Sequence, residues 1–535
     1  MLKIINIFKT NKSAVYFISA VFLIFLIPRL VGLGFDTYGY DSYYWDQRSD
    51  KFVEHLLSGN FAKTYRQYHP GVTTMYLAGF AKYFFQQAVY YKYGYKIRLI
   101  EGVVYSKWFY VNHFVSLFPI VVVLSVFLTL SVFLMSKLKI NKFYLILFSS
   151  LLSISPFFLG ISRFLHVTAL ETVFVFTFYT LYFYCLKTKV PKKFYILLGL
   201  VLALGLLSKI STVIVLPFVF LITLLFTITK KNKINYLFNK SLILSLIVII
   251  GIIWCVILWP ALWVNFTGTI LKIYKDGLVN DAFDATPAPS LLKNKYLYYP
   301  EMLLTRSTGL TFITYIIGLF VILKEKNKIL KQFVLVNILF TFYYFFIMAF
   351  PDKKLDRYIT NVFPATLAIS SYVIYRIYNY ASLIRSKLKL GVIFLTTVFF
   401  YYFVTLYAYY PSFSAIHTDL LGGLSGYSKI AKVKNRGEFY IEAVRFLNKK
   451  DGEKEASIKN LVVPNGGKNK SAVGYFGKIY TDAGLIKDGS VANYFLPDYL
   501  DKDEEIPTNR DCKLLKTFGT RFPFKFDYLF LYECK

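Results

Sequence analysis

The chain has 535 residues, of which 56% are hydrophobic, 20% aromatic and only 17% charged, against about 25% charged in an ordinary soluble chain. That balance excludes a soluble enzyme. The formal charge of +32 would point a soluble protein toward nucleic acid, but Lys and Arg here sit in short loops between apolar runs of roughly 16 to 25 residues, near the length that crosses hydrocarbon, where positive charge fixes orientation instead.

In chain order, eleven spans are predicted, at about 13–33, 109–135, 143–160, 167–186, 194–208, 211–229, 241–263, 309–324, 331–350, 359–377 and 389–410. Lys3, Lys9 and Lys12 precede the first. If that end is cytosolic, every second short loop should be basic, and each one is: Lys137/Lys139/Lys142, Lys187/Lys189/Lys192/Lys193, Lys230/Lys231/Lys233/Lys240, Lys324/Lys326/Lys328/Lys331 and Arg376/Arg385/Lys387/Lys389. Of the 30 acidic residues, only Glu325 falls in a predicted cytosolic loop. The expected orientation is N-in, C-out in a cell or plasma membrane. The first run follows a basic stretch but lacks a small-residue cleavage site before Arg29, so it reads as an uncleaved signal anchor.

Three outward segments are long: 34–108, 264–308 and 411–535. Within the first two, 71–90 and 291–304 are apolar with interspersed polar residues, a pattern that suits interfacial helices. The tail alternates in runs such as Tyr528–Tyr532, as strands do. The predicted fold is a polytopic α-helical membrane protein of about eleven transmembrane helices, residues 1–410, with a small C-terminal extracytoplasmic α+β domain, residues 411–535. Cys185 and Cys255 lie inside spans, where a buried thiol is the default. Cys512 and Cys534 share the outer domain and can pair if that compartment is oxidising.

Chemistry-bearing residues concentrate outside the first span. Asp36, Asp41, Asp46 and Asp50 fall within fifteen residues of one another. From about Trp45 the residues Phe52, Leu56 and Leu57 give one helical face ended by Gly59-Asn60, which leaves Asp46 and Asp50 at i,i+4 on a solvated side. Asp41 precedes that helix in an aromatic loop against the membrane, where partial desolvation would suit a general base. His69-Pro70-Gly71-Val72-Thr73-Thr74-Met75 opens the surface helix, with His69 either a cap or a substrate contact.

Ser162-Arg163-Phe164-Leu165-His166 stands at the outer entrance of the fourth span, and Glu171 falls about one turn inside it. A carboxylate there should face protein or a wet cavity; it either pairs with Arg163 or His166 or serves the site. Lys209, Arg306 and the run Asp352-Lys353-Lys354-Leu355-Asp356-Arg357-Tyr358 are outward cations that depart from the positive-inside pattern. Such cations can snorkel harmlessly, but three sites converging on an acid-bearing loop suit an anionic headgroup.

These segments, in their order, resemble the glycosyltransferase family 39 members of the GT-C superfamily, whose relatives include the protein O-mannosyltransferases and the lipid A aminoarabinose transferases. The segments are Asp41 to Ser49, His69 to Met75, Ser162 to His166, Leu207-Ser208-Lys209-Ile210-Ser211, Trp259-Pro260-Ala261-Leu262-Trp263-Val264-Asn265, Tyr298 to Arg306 and Lys353 to Tyr358. The resemblance implies that Asp41 is the base that deprotonates an acceptor hydroxyl, with Glu171, His69, Arg163 and His166 in support. It implies that Lys209, Arg306, Lys354, Arg357 and Tyr358 hold the phosphate of a polyprenyl-phosphate sugar. The Glu that usually follows the Asp is Ser42 here, which puts any metal role in doubt while leaving a divalent cation possible. Thr168 stands where relatives commonly have Asp, and Glu171 on the same face can substitute.

The implied reaction is transfer of a sugar, with inversion, from an outer-leaflet polyprenyl phosphate to a hydroxyl of a protein, lipid or glycan acceptor. Neither GxGxxG nor GxxxxGK[ST] occurs, as expected of a lipid-linked donor, and no nucleic-acid partner is expected. The rival is a lipid-linked-sugar flippase without transferase activity, although transporters usually place polar sites near the midplane of paired repeats. Asn435 to Ala443 reads as a helix opening in the tail that also resembles the family.

Overall fold

The computed structural model describes residues 12–94, 106–280, 290–383, 388–431, 433, 437–450, 461–462, 494–497, 499 and 511–534. Every predicted span coincides with a helix. The membrane helices are α1 (Lys12–Leu30), α4 (Ser106–Lys137), the pair α5 (Lys142–Ile154) and α6 (Pro156–Ser162), α7 (Thr168–Lys187), α8 (Lys193–Ser208), α9 (Val215–Ile228), α10 (Lys233–Leu258), α13 (Gly309–Val321), α14 (Lys328–Ala349), α15 (Phe363–Leu383) and α16 (Leu388–Tyr409). Between them lie α2 (Tyr40–Leu57), α3 (Val72–Tyr93), α11 (Phe266–Ile273) and α12 (Tyr298–Arg306).

Among the described residues seven of these helices are long and apolar enough to cross a membrane, or eight with α5 and α6 taken as one broken span. The chain bends by 67° between those two, because Pro156 has no N–H to continue the helix and pushes Ser155 into extended backbone. α8 has 16 residues, about 24 Å of helix at 1.5 Å per residue, and α13 with its 3₁₀ extension is similarly short. α15 is long enough but carries Ser370, Ser371 and Arg376. The central helix is α7, 94% of whose apolar window is buried inside the protein, whereas only 11% of α10's is. α10 is therefore a peripheral helix, and it reaches α8 closely where a Cβ on Gly199 would fall 2.4 Å from Ile250.

Both expected surface segments contain a helix, and the second differs in its bounds. The first, α3, packs along α2 with Met75, Ala78 and Lys82 wholly buried, so one face of it is a structural wall of the protein. The second is shorter than 291–304: α12 starts at Tyr298, and residues 290–292 form a loop held by the Glu301 carboxylate. That carboxylate accepts from Leu291 N at 2.6 Å, Leu292 N at 3.0 Å and Ser290 Oγ at 2.8 Å.

The tail contains a helix, α17 (Tyr440–Lys450), and a four-stranded sheet of β1 (Leu461–Val462), β2 (Tyr494–Phe495), β3 (Cys512–Thr520) and β4 (Phe526–Cys534) in the order β1-β2-β4-β3. The alternation of Tyr528–Tyr532 suggested a strand, and it lies in β4, which pairs antiparallel with β3. Cys512 is disulfide-bonded, and its register partner across the ladder is Cys534; Cys185 and Cys255 are free. Asn435 and Arg436 of the expected helix opening lie outside the described residues, as do Lys3, Lys9, Arg385 and Lys387.

The tail is stitched to the bundle beside α2. Arg521 N donates to Ala408 O over 2.8 Å, and the Thr37 and Ser414 hydroxyls are 3.3 Å apart. Gly437 crosses the chain so closely that a Cβ would fall 2.4 Å from Tyr38 O, a position only glycine fills at its φ of +98°.

Candidate active site

The site is built around α2. Gly39 is in extended backbone at its N-cap, Trp45, Phe52 and Val53 bury one face, and Gly59 at φ +71° follows its end. The helix begins five residues earlier than the sequence suggested, so Asp41 lies in its first turn, where the helix dipole favours a carboxylate. The expected solvation is overturned for Asp46, which is buried, whereas Asp50 stays partly exposed and is ion-paired. Lys82 of α3, with no exposed side-chain surface, donates to Asp46 Oδ1 at 2.7 Å and to Asp50 Oδ1 at 2.6 Å. A buried ammonium needs such partners, and the pattern of α2 alone carries no sign of it.

His69-Pro70-Gly71 places the start of α3 against this helix. A Cβ on Gly71 would fall 2.0 Å from the Trp45 ring, and Gly71 holds φ +60°. Its N–H donates to Ser208 O over 3.1 Å, and Thr73 Oγ1 donates to Leu204 O over 3.0 Å, which ties the turn to the end of α8.

Between these elements lies a cavity of about 350 Å³ lined by Asp41, Tyr44, Trp45, Arg48, Gln67, Tyr68, His69, His166, Lys353, Arg357 and Tyr358. Arg357 Nη1 donates to Asp41 Oδ2 over 2.6 Å. Asp41 was expected to be a partly desolvated loop carboxylate; its side chain is 29% exposed, but it lies in a helix and is ion-paired. Burial, with Lys209, His166, Lys353 and Arg357 around it, holds His69 well below the usual imidazole range. His166 Nδ1 faces Thr168 Oγ1 at 2.8 Å and accepts from Thr168 N at 3.2 Å, serving the first turn of α7 while its ring stands edge-on to Trp45.

Beneath Tyr358 lies a buried polar layer. Lys209 Nζ is 4.0 Å from the centre of the Tyr358 ring and 3.1 Å from Glu171 Oε2. Glu171 also accepts from Ser211 Oγ and from Asn361 Nδ2, the latter at 3.2 Å. Glu171 therefore pairs with neither Arg163 nor His166. It has no exposed surface and does not line the cavity; it neutralises Lys209, which a carboxylate on the central helix can do only from within protein.

Three expected site residues are engaged elsewhere. Arg163 Nε donates to Asp36 Oδ2 over 2.7 Å, and Nη1 reaches Pro28 O. Arg306 is paired with Asp356, and its Nη1 donates to Ile416 O at 3.0 Å. Lys354 Nζ donates to Met348 O at 2.5 Å and Ala349 O at 3.1 Å, where an ammonium satisfies the last carbonyls of α14. None of the three lines the cavity. The cavity residues that the sequence did not single out for the site are Arg48, Tyr44, Trp45, Gln67 and Tyr68, while Lys353 belonged to the outward cationic run 352–358 without being assigned a role of its own. Arg48 had a legible signal, since it lies seven residues, or about two turns, beyond Asp41 on the same helix face.

Among the described residues no three His, Cys, Asp or Glu side chains converge, and Asp41 is the one carboxylate among the residues lining the cavity.

No protein-family model matches the chain, and no curated protein matches it. Among solved structures it is similar to ArnT from Cupriavidus metallidurans bound to undecaprenyl phosphate, at 10% identity, covering 97% of each chain with a TM-score of 0.46. It is also similar to the oligosaccharyltransferase AglB from Archaeoglobus fulgidus in complex with an inhibitory peptide and a dolichol-phosphate, at 12% identity, covering 92% of this chain and 70% of that one with a TM-score of 0.41.

Proposed function

We propose that the protein is an integral-membrane inverting glycosyltransferase of the GT-C type, with the motif order of family 39. It moves a sugar from an outer-leaflet polyprenyl phosphate to a hydroxyl on a protein, lipid or glycan. The observation that carries this reading is one cavity holding a single carboxylate, Asp41, against Arg357, Arg48 and Lys353. A base and a phosphate site are what the reaction requires, and they stand side by side. The sequence supports the orientation, because the short basic loops belong to the end of the bundle opposite this cavity.

In this reading Arg357 holds Asp41 Oδ2 and leaves Oδ1 to receive the acceptor proton. The acceptor oxygen attacks the anomeric carbon, the carbon–oxygen bond to phosphate breaks, and its electron pair stays on the phosphate. The proton ends on Asp41. A single base and a phosphate leaving group give in-line displacement with inversion. Lys209, fixed by Glu171, supports the Tyr358 ring from below.

The test is transfer of radiolabelled sugar from a panel of polyprenyl-phosphate sugars in membranes carrying wild type or Asp41→Asn, with donor binding measured in parallel. Wild type should transfer; the variant should bind donor and lose about 10²- to 10⁴-fold in transfer, the usual worth of a general base. Donor crossing the bilayer without transfer, equally in both proteins, would replace this reading with a flippase.

A further inference from the structure

Arg29 stands in the last turn of α1, wholly buried, where an ionised side chain needs a partner. One end of its guanidinium is in use: Nη1 donates to Phe25 O over 2.7 Å and to Ser153 Oγ over 3.2 Å. Its faces meet aromatic rings, with the Phe25 and Phe158 ring centres 6.0 and 5.3 Å from its central carbon. Nε and Nη2 differ: both are sealed from solvent and meet no acceptor among the described residues. These two N–H groups lie on one edge of the planar fork and point the same way, the edge with which a guanidinium grips an anion.

Among the described residues no carboxylate answers that charge. Asp36 Oδ2 is taken by Arg163 Nε at 2.7 Å, and the charge that acts on Arg29 is the like charge of Arg163. Arg163 stands close by. Its Nη1 donates to Pro28 O, the residue before Arg29, and its Nη2 is a third buried N–H group without an acceptor among the described residues. With Asp36 committed to Arg163, Arg29 is left as a positive charge in a medium where an unpaired charge costs far more than in water. None of these three side chains lines the cavity that holds Asp41, so the cluster is separate from the proposed transfer site.

We propose that Arg29 and Arg163 form a binding site for one small monovalent anion, a halide, gripped by Nε and Nη2 of Arg29 and met by Nη2 of Arg163. Both side chains are buried to 1% exposure or less, an enclosure that suits a halide and refuses a phosphate ester. The ion ties α1 to the bend between α5 and α6 and, through Arg163 and Asp36, to the start of the loop that leads to Asp41. Its role is structural, and it stands whether or not the chain transfers a sugar.

The test uses the full chain in detergent at pH 7.5 and constant ionic strength, with chloride replaced stepwise by gluconate, an anion too large for the site. The thermal midpoint of wild type should rise by about 2–4 °C between about 1 and 150 mM chloride and then level off, as linkage to a single site requires. Arg29→Met, which keeps the stem and removes the fork, should show no such rise. Crystals soaked in bromide give the deciding readout: an anomalous peak within hydrogen-bond reach of Arg29 Nε and Nη2 in wild type, absent in Arg29→Met. Should Arg29→Met fail to fold, the wild-type peak decides by itself. A chloride response equal in both proteins, bromide at the surface only, or density at the fork without anomalous signal, which marks a water, would overturn the proposal.

Discussion

Arg357 Nη1 and Asp41 Oδ2 lie 2.6 Å apart although 316 residues separate them in the chain. The pair ties the 3₁₀ turn Asp356–Val362 to the first turn of α2, and it sets the carboxylate's direction. Arg357→Lys keeps the charge and loses the directional fork. Donor KM should change by no more than a few-fold while kcat falls about tenfold; a kcat unchanged in steady-state transfer assays would show that the pair does not orient the base.

Lys82 is the buried hub of the wall behind the site. Lys82→Met leaves Asp46 buried without its cation, which costs about 3–5 kcal/mol when one partner of a buried pair is removed. The thermal midpoint in detergent should drop accordingly, and adding Asp46→Asn and Asp50→Asn should recover most of it. A triple variant as unstable as Lys82→Met would mean that the ammonium stem, not the charge balance, matters.

Arg306 was expected to hold phosphate, yet it is spent on Asp356 and on carbonyls of the segment after α16. Arg306→Gln should reduce folded yield and thermal stability, again by several kcal/mol, and leave undecaprenyl phosphate affinity of the folded fraction within about twofold. A selective loss of affinity with stability intact would return Arg306 to the phosphate site.

His69 gives a pH dependence with a definite sign. Its folded pKa is depressed by burial and by neighbouring cations, whereas an unfolded imidazole titrates near 6.5. Below that value the unfolded state binds more protons, so stability rises with pH up to about 6.5 and is lost on acidification. The fall in thermal midpoint from pH 7.5 to pH 5 should be smaller in His69→Gln than in wild type; an equal fall would assign the acid sensitivity to other groups.

The membrane helices were legible because their signals are local. A run of apolar residues, a proline at 156 and a basic loop each act within a few residues of where they are read. Asp41, His69, His166, Arg357 and Tyr358, which line the cavity, stood out in the sequence for a related reason, since departures from apolar or positive-inside patterning show one position at a time. Arg163, Arg306 and Lys354 stood out equally by that signal, yet they do not line the cavity and meet other partners.

What separates the two groups is where the partner lies: Asp41, which meets Arg357, lines the cavity, whereas Asp36, 127 residues from Arg163, and Asp356, 50 from Arg306, do not. A buried charge is tolerable only when a counter-charge or carbonyl meets it, and which one does so depends on how the helices pack. Amino-acid sequence by itself determined a polytopic helical chain with its acids and surplus cations gathered at one end. Only the tertiary structure decided which cations are neutralised as scaffold, Lys82 and Arg306 among them, and which, like Arg48, line the cavity.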